Sequence, residues 1–544
     1  MRIVGFLPLL FLVLLLVACG GSGRPMGPPA PVIDTIRAFE GHVGYYVTGP
    51  RMSMRDAAGR LVPETGFVAP NLPRNGPRFT VDVLDANGQL LGSTTTDSKG
   101  NYTVTVNFGQ NPAEPVRVRT VARATIAGGT DLRVLPGLSS ADPYEVVSPL
   151  TTDPDLRTTR IDLNVPLETA GAFHILEVLF TGLSAIRGGV TGEVPDLDVL
   201  WEPGNGAVSS FSDAGPHLGR IFVAGGITGN DASNQDAWDD PRLARLLGEY
   251  FLAYFSNAVA PAGTPDDTLL VPSAAWREGF LDFFSCAVRG TPEYWETEGI
   301  GAAGHVVRFF NAESFFDPAL GSLGPDDPNV YQDPGVVGIG SRFTTTEVLW
   351  DIFDGSGLDA DSDDITVPLF LMLGDLEALR PGNSYPYIYS ALDEYVANQS
   401  FSTVQAEVLL TFPESHNLGY PVDDTTEWPT PIRDPLRPDD TVVPTYDETF
   451  SDVIDTASPG ANPEIGLFAQ RYFEIHIAGQ ATLLVTVTSA ASLRVEILDL
   501  ENNIVSAGTG TAATVTPGGD YVIRVLPTSS PVTAPFDLRV QLTP

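Results

Sequence analysis

The apolar pattern of this chain changes along its length, and these changes constrain the fold more than any single motif does. Residues 35–165 alternate apolar and polar side chains, as in "RFTVDVLDANGQLLGSTTTDSKGNYTVTVNF". Residues 166–416 carry apolar residues at helical spacing, as in "GAFHILEVLFTGLSAIRGG", and residues 448–544 return to alternation. A period of two favours strands, and a period of 3.6 favours amphipathic helices. The sequence therefore predicts a multidomain protein with a β-sandwich, then a mainly helical (α+β) domain, then a second β-sandwich.

Two segments have no apolar period. Residues 20–33 contain mainly Gly, Pro and small residues, and residues 417–447 are rich in Pro and acidic residues. Such compositions are typical of tethers and linkers. We therefore expect a tether over residues 19–34 and a Pro/Asp-rich linker over residues 417–447. We also expect few contacts to cross the flanks of residues 165–416, so that this segment would fold alone.

The N-terminus has the features of an export signal. Arg2 precedes the apolar run "IVGFLPLLFLVLLLVA", which is too short and wrongly flanked for a lasting membrane span. The run ends in "LVAC", which resembles the bacterial lipoprotein signal box. That resemblance implies loss of residues 1–18, a lipid on Cys19 that anchors the protein in the membrane, and an outer-membrane place in the cell envelope, on its periplasmic or its surface face. An ordinary signal peptide with an incidental cysteine is the alternative.

The charge of the chain argues against nucleic-acid binding, and its cysteine content argues against a disulfide-stabilised fold. The formal net charge is −38, from 68 acidic and 30 basic residues. A surface this negative repels nucleic acid, so we expect no nucleic-acid partner. Apart from Cys19 the chain has only Cys286, which excludes an intramolecular disulfide framework once Cys19 carries a lipid. We also expect no later stretch long and apolar enough to span a bilayer.

Two features suggest cation binding without satisfying its requirements. The run "DADSDD" at 359–364 alternates carboxylates as a calcium loop does, but it lacks the glycine and the bidentate glutamate of such a loop. His174 and Glu177 are three residues apart on the first predicted helix, a spacing that di-metal bundles use, but no second motif matches them. We therefore prefer a solvated turn and a polar helix position, and we assign no metal site.

Two predicted helices each carry part of a zinc-peptidase pattern. An H-E-x-x-H helix places two imidazoles on one face, with a glutamate as general base, and a second helix supplies a glutamate as third ligand. In "RLARLLGEYFLAYFS", Gly248 and Leu252 stand where the two histidines belong, and Glu249 stands at the position of the base. In "AAWREGFLDFF", Glu278 stands at the position of the third ligand.

The order of these segments resembles that of gluzincin-type zinc metallopeptidases. The matching parts are "AFHILEVLF", "DVLWEPGN", "IFVAGGITGN", the segment "DAWDD" at 236–240 that leads into the first of the two helices above, those two helices, and "EVLWDIFD". The resemblance implies that Glu249 and Glu278 are vestigial, and that Gly248 and Leu252 mark lost ligands. With Gly248-Glu249-Tyr250-Phe251-Leu252 in place of H-E-x-x-H, it implies a pseudopeptidase that has no intact catalytic set, no zinc cofactor and a partly closed cleft.

The two vestigial glutamates would repel each other without a metal. We therefore expect either a raised pKa or a neutralising cation, for which Arg242, Arg245 and Arg277 are the candidates.

The two ends of the chain resemble accessory domains of secreted proteins. The run "TTDSKGNY" resembles carboxypeptidase-regulatory-like and related immunoglobulin-like sandwiches, in which a strand, an Asp-x-x-Gly turn and a second strand recur. Tyr472-Phe473, "LRVEILDLENN" and "PGGDYVIRV" resemble the pre-peptidase C-terminal domain. The whole chain is consistent with an envelope lipoprotein that binds a protein or peptide ligand or acts as a scaffold. An active or atypical metallopeptidase that uses other ligands, and a structural or adhesive surface protein, are the alternatives.

Overall fold

The computed structural model shows a multidomain, β-rich protein with several β-sandwich-like sheets, and five α-helices in the part of the chain that it describes. The described residues are 36–49, 54–55, 61–62, 68–109, 115–137, 139–151, 158–206, 208–213, 215, 218–226, 235–256, 270, 272–298, 305–312, 342–354, 366–378, 391, 446–455, 471–477, 479–499, 503–528 and 533–543.

The N-terminal strands form two main sheets. Their bounds are β1 (Ile36–Gly49), β2 (Met54–Arg55), β3 (Leu61–Val62), β4 (Val68–Asn75), β5 (Thr80–Asp85), β6 (Leu90–Thr95), β7 (Asn101–Asn107), β8 (Val116–Val121), β9 (Arg123–Thr125), β10 (Asp131–Leu135), β11 (Glu145–Val147), β12 (Thr158–Arg160) and β13 (Leu163–Asn164). In one sheet β1 pairs with β4 and β7 in antiparallel and with β12 and β13 in parallel orientation. The other is antiparallel, in the order β11-β8-β5-β6. The predicted alternation is clearest in β7, where every second side chain is buried.

The turns of the first sandwich have the predicted Asp-x-x-Gly form. Asp85 and Asp97 each accept hydrogen bonds from the backbone N–H groups two and four residues later, at 2.7–2.8 Å. Gly88 and Gly100 follow with positive φ angles of 84° and 77°, a conformation that glycine adopts without a Cβ penalty. At Gly100 a Cβ would also lie 2.6 Å from the carbonyl oxygen of Val43, so the close approach of β1 requires glycine there.

The middle of the chain supplies the helices and a mixed sheet. The elements are α1 (Leu167–Gly189), β14 (Leu197–Trp201), β15 (Ser210–Ser212), β16 (Arg220–Val223), α2 (Asp240–Phe255), α3 (Pro272–Arg289), β17 (Glu293–Glu298), β18 (His305–Asn311), α4 (Arg342–Asp354) and α5 (Leu369–Ala378). The sheet has the order β15-β16-β14-β10-β9, and α3 packs against both α2 and α4.

The first sandwich and the helical region share one sheet and one core. Strand β10 pairs in parallel with β14, with Leu132 opposite Leu197. Buried side chains form a single hydrophobic cluster that runs from Phe39 in β1 through Phe173 in α1 to the later helices. The expectation that few contacts cross residue 165 is therefore wrong. The change from strand spacing to helical spacing near residue 166 matches the start of α1. However, β10 precedes this change and belongs to the same sheet as β14, β15 and β16, which follow it.

Helix α1 is the central helix of this shared core. By length and composition it could cross a membrane, contrary to our expectation that no later stretch could do so. Yet 67% of its most apolar window is buried inside the protein. Its apolar residues therefore pack against other parts of the chain, as in the core helix of a globular domain.

The C-terminal strands form two four-stranded antiparallel sheets with a core of their own. The strands are β19 (Tyr446–Asp455), β20 (Arg471–Ile477), β21 (Ala481–Ser489), β22 (Leu493–Leu498), β23 (Ile504–Thr509), β24 (Thr511–Thr516), β25 (Gly519–Pro527) and β26 (Thr533–Thr543). One sheet has the order β19-β26-β21-β24 and the other β20-β25-β22-β23. Strand β19 begins at Tyr446, so the last two residues of the predicted linker belong to the first of these sheets.

Three predictions lie outside the described residues. They are the signal and tether that contain Cys19, the acidic run at 359–364, and the linker up to residue 445.

Candidate functional site

Helices α2 and α3 carry the two halves of the peptidase-like pattern, and local sequence signals position both. Asp239 caps α2: its carboxylate accepts a hydrogen bond of 3.0 Å from the backbone N–H of Arg242, and Pro241 lies in the first turn. These are the residues that a helix start favours. Ser285 of α3 then donates its hydroxyl to the carbonyl oxygen of Pro241 at 2.9 Å, which fixes α3 against the start of α2.

The two positions where histidines are missing lie in the packed interior. A Cβ on Gly248 would lie 2.9 Å from Leu281 Cδ2 and 3.2 Å from Phe284 Cδ1, so side chains of α3 occupy the space that an imidazole would need. Leu252 is 2% exposed and belongs to the main hydrophobic cluster. We expected a partly closed cleft, and at Gly248 the space is filled by α3.

Glu278, at the third-ligand position, is bound by arginine. Its side chain is 2% exposed and forms an ion pair with Arg245 of α2 and a second one, of 2.7 Å, with Arg277. Two of the three candidate cations from the sequence therefore do neutralise this carboxylate. The third, Arg242, instead donates to the backbone oxygen of Ser209 at 2.8 Å.

A second carboxylate extends this pair into a buried network. Asp282 lies one turn after Glu278 on α3 and is fully buried. One of its oxygens pairs with Arg245, and the other accepts hydrogen bonds of 3.1 and 2.5 Å from Arg342 at the start of α4. We call Arg245, Glu278, Asp282 and Arg342 the buried ion network. It ties α2, α3 and α4 together across their interface.

The electrostatics of the network favour the charged forms of Glu278 and Arg245. Burial alone would raise the pKa of Glu278, but Arg245, Arg342 and Arg277 lower it below its usual value. Burial alone would likewise lower the pKa of Arg245, but Glu278 and Asp282 raise it well above its usual range, with a smaller contribution from Glu249. Glu249 lies four residues after Arg245 on α2, so both glutamates act on the charge of the same guanidinium.

This arrangement gives Glu278 a protein cation where the resemblance implies a metal. A buried carboxylate with two guanidinium partners has its charge and its lone pairs satisfied. Within the described ranges, no group of three or more His, Cys, Asp or Glu side chains is placed to hold a metal ion. The network can therefore stabilise the helical frame.

His174 and Glu177, the other candidate pair, meet at a tyrosine. His174 is 1% exposed, and its Nε2 lies 2.6 Å from the Asp240 carboxylate of α2. Its Nδ1 lies 3.2 Å from the hydroxyl of Tyr45, which donates to Glu177. Burial would raise the pKa of Asp240, but His174 and Arg74 lower it to about 2. These contacts join β1, α1 and α2, and they account for both residues without a metal.

A pair of buried carboxylates precedes α2. Asp239 is fully buried, and its second oxygen accepts from the backbone N–H of Thr297 at 2.8 Å and from the Thr297 hydroxyl at 3.1 Å. Burial, followed by the charges of Asp236 and Glu296, raises its pKa well above the usual value. Burial also raises the pKa of Asp236 to about 6. The segment at 236–240 thus caps α2 and anchors it to Thr297. Burial of the charged forms of Asp236 and Asp239 there costs free energy.

Sequence reasoning missed Asp282, Arg342 and Tyr45. One signal for Asp282 was present, because Glu278 and Asp282 are four residues apart in an otherwise apolar stretch of α3 and so lie on one helix face. Arg342 and Tyr45 carry no local signal, because they reach their partners only through the tertiary fold.

Fold and site together define a multidomain, β-rich protein in which buried ion pairs join the helices α2, α3 and α4. No protein-family model and no curated protein matches the chain. A periplasmic inhibitor of g-type lysozyme from Aeromonas hydrophila has a TM-score of 0.15 and 10% identity, over 19% of this chain and 92% of that chain. The pre-peptidase C-terminal domain of a Bacillus anthracis collagenase has a TM-score of 0.14 and 11% identity, over 17% of this chain and 88% of that chain. Both are weak structural neighbours.

Proposed function

We propose that this protein is a cell-envelope lipoprotein, anchored through Cys19, whose peptidase-like segment is catalytically degenerate and serves as a binding or scaffolding module. In this proposal the helical segment descends from a gluzincin-type frame that has lost its zinc. The C-terminal sandwich is an appended module similar to pre-peptidase C-terminal domains.

One observation carries the proposal: the guanidinium of Arg245 pairs with Glu278, the residue at the third-ligand position. A cation fixed by the protein at this carboxylate competes with any metal for the same oxygen atoms. The side chains of Leu281 and Phe284 against Gly248 act in the same direction, because they leave no volume for a first ligand on α2. Together they support a segment maintained for its shape and rigidity.

The buried ion network also supports a scaffolding role. Removing one partner of a buried ion pair commonly costs about 3–5 kcal/mol, so such a network strongly penalises separation of the helices that it joins. A rigid frame reduces the ordering cost of binding, which favours a stable binding surface.

Peptide hydrolysis tests the catalytic part of the proposal. The purified protein is incubated with casein and with a fluorogenic peptide library, with added zinc or with a chelator. Glu249→Gln and Glu278→Gln serve as matched controls. We expect the same background rate in all samples. Hydrolysis that the chelator abolishes and that Glu249→Gln removes would overturn the proposal in favour of an atypical metallopeptidase.

Cell fractionation tests the anchor. We expect the parent protein in the membrane fraction and Cys19→Ser in the soluble fraction, because the thiol is the only lipid acceptor in the "LVAC" box. Fractionation of Cys19→Ser with membranes, at the level of the parent, would contradict the lipoprotein assignment.

A further inference from the structure

A groove of about 880 Å³ lies on the first sandwich, away from the peptidase-like helices. Residues of β5, β6, β8, β9 and β11 line it, and the side chains of Asp82, Ser93 and Arg119 place its floor on the outer face of the sheet β11-β8-β5-β6. Neighbouring strands are roughly 4.8 Å apart, so these four strands span roughly 14 Å. The groove is long enough for an extended polar ligand.

A fixed row of polar groups crosses the floor of this groove. Asp82 of β5 is 6% exposed and lies opposite Ser93 of β6 and Arg119 of β8 in the strand register. One of its oxygens accepts from the Ser93 hydroxyl at 2.8 Å, and the other accepts from Arg119 at 2.7 and 3.2 Å. Arg119 continues the row to Glu145 of β11 at 3.1 Å. Donors and acceptors are therefore held side by side across neighbouring strands.

Threonine residues border this row. Thr95 is exposed beside it, opposite Thr80 in the strand register. The hydroxyls of Thr80 and Thr125 donate to the Arg123 carbonyl oxygen at 2.8 Å and to Asp131 at 2.7 Å, and their oxygens can still accept hydrogen bonds. Leu90, Val121 and Pro143 add apolar surface, and no aromatic ring is found among the described lining residues. Large apolar side chains of a peptide would find few contacts there, because interface anchors need well-packed apolar pockets. The groove is instead suited to a ligand that presents many hydroxyl groups.

The charges of the groove favour a neutral ligand. Arg119 is paired with Asp82 and Glu145, and Arg123 is paired with Asp131. An anion would have to break one of these pairs, and it would approach a chain with a net charge of −38. A neutral polyol can instead share the remaining hydrogen-bonding capacity of the same groups, because a carboxylate oxygen accepts more than one hydrogen bond.

We propose that this groove binds a neutral glycan, with Asp82, Arg119 and the surrounding threonines as its hydrogen-bonding partners. The inference goes beyond the proposed function, because the groove is a second site that shares no residue with the peptidase-like helices.

Calorimetric titration of the full-length protein tests the inference. The probes are hexasaccharides of β-1,4-glucose, α-1,4-glucose and β-1,4-N-acetylglucosamine, with heparin as the anionic comparison. We expect saturable binding of at least one neutral hexasaccharide and none of heparin.

Two groove variants and two matched controls locate the site. Thr95→Val keeps the side-chain shape and removes one hydroxyl, so it should weaken binding about fivefold. Arg119→Lys keeps the charge and loses the planar fork, so it should weaken binding at least about tenfold. Thr105→Val on β7 and Arg117→Lys on β8 change exposed residues outside the groove and should leave binding unchanged.

Three outcomes would overturn the inference. They are no saturable binding to any of the three neutral hexasaccharides, preferential binding of heparin, and glycan binding that both groove variants leave intact. Peptide hydrolysis measured on the same samples separates this result from the proposed function. Glycan binding together with chelator-sensitive hydrolysis would support the glycan site and reject the proposal that the peptidase-like segment is degenerate. Absence of both glycan binding and hydrolysis would reject the glycan site and leave the proposed function standing.

Discussion

Replacing Arg245 by Met should destabilise the helical region by about 3–5 kcal/mol at neutral pH. The side chain makes ion pairs with Glu278 and Asp282, which are 2% and 0% exposed. Each charge-assisted hydrogen bond of this kind contributes about 1.5–3 kcal/mol, and the loss of one partner leaves buried charge that is only partly compensated. Arg277→Met removes another cation from Glu278, but its side chain is 19% exposed, so we expect a smaller loss of about 1–2 kcal/mol.

The pH dependence of this loss identifies the charge that is left behind. In the parent protein the lowered pKa of Glu278 means that its stabilising contribution is present above its usual value of 4.5 and is lost as the pH falls through its folded pKa. Without Arg245, burial becomes the dominant effect and raises that pKa. The deficit of Arg245→Met should therefore be larger at pH 7.5 than at pH 5.0.

Urea unfolding followed by tryptophan fluorescence measures both effects. Five of the six tryptophans lie between Trp201 and Trp350, and the C-terminal sandwich has none, so the signal reports on the region that contains the network. A deficit below about 0.5 kcal/mol at pH 7.5 would refute the stabilising role of the network, because ordinary surface substitutions fall within that range. An equal deficit at both pH values would show that Glu278 is not the uncompensated charge.

Three further predictions follow from packing, burial and topology. The double change Gly248→His with Leu252→His should destabilise the protein by at least about 3 kcal/mol in thermal unfolding, because one imidazole overpacks and the other replaces a buried leucine; unchanged stability would mean that the helices can open. Because burial raises the pKa of Asp236 to about 6, the folded state binds a proton more tightly than the unfolded state does. The stability from this proton is fully present below about pH 4 and is lost as the pH rises through about 6. Asp236→Asn should therefore add up to ~3 kcal/mol in urea unfolding at pH 7.5 and about half of that at pH 5, and a gain independent of pH would contradict this. The isolated segment 165–416 should fail to fold by circular dichroism because its sheet lacks β10, whereas the segment extended back to residue 36 should fold cooperatively; folding of the shorter segment would refute the shared core.

The elements with strong periodicity could be predicted from the sequence. The alternation around Tyr102 and the Asp-x-x-Gly turns matched the strands and turns of the first sandwich, because register and turn chemistry are set by neighbouring residues. The helical spacing of "RLARLLGEYFLAYFS" at 242–256 matched α2, which runs from Asp240 to Phe255. The sequence also indicated Arg245 as one of three candidate cations, beside a raised pKa as the alternative, because two glutamates without a metal repel each other.

The remaining features depend on tertiary contacts between distant residues, which local sequence patterns do not indicate. The pairing of β10 with β14 joins residues more than sixty positions apart, so no local pattern indicated that the first sandwich and the helices share a sheet. Arg342 joins the ion network from α4 across a similar separation. The filling of the space at Gly248 depended on the orientation of Leu281 on a separate helix. Such tertiary arrangements decide whether a degenerate motif leaves an open cleft or a packed interior.

The zinc content of the purified full-length protein tests the central claim most directly. The protein is incubated with zinc and dialysed, and bound metal is measured by mass spectrometry beside Glu278→Gln and Glu249→Gln. Since Arg245 already occupies the carboxylate of Glu278, we predict the same zinc content in all three samples, from weak binding to the acidic surface alone. One tightly bound zinc per chain that Glu278→Gln removes would contradict the account.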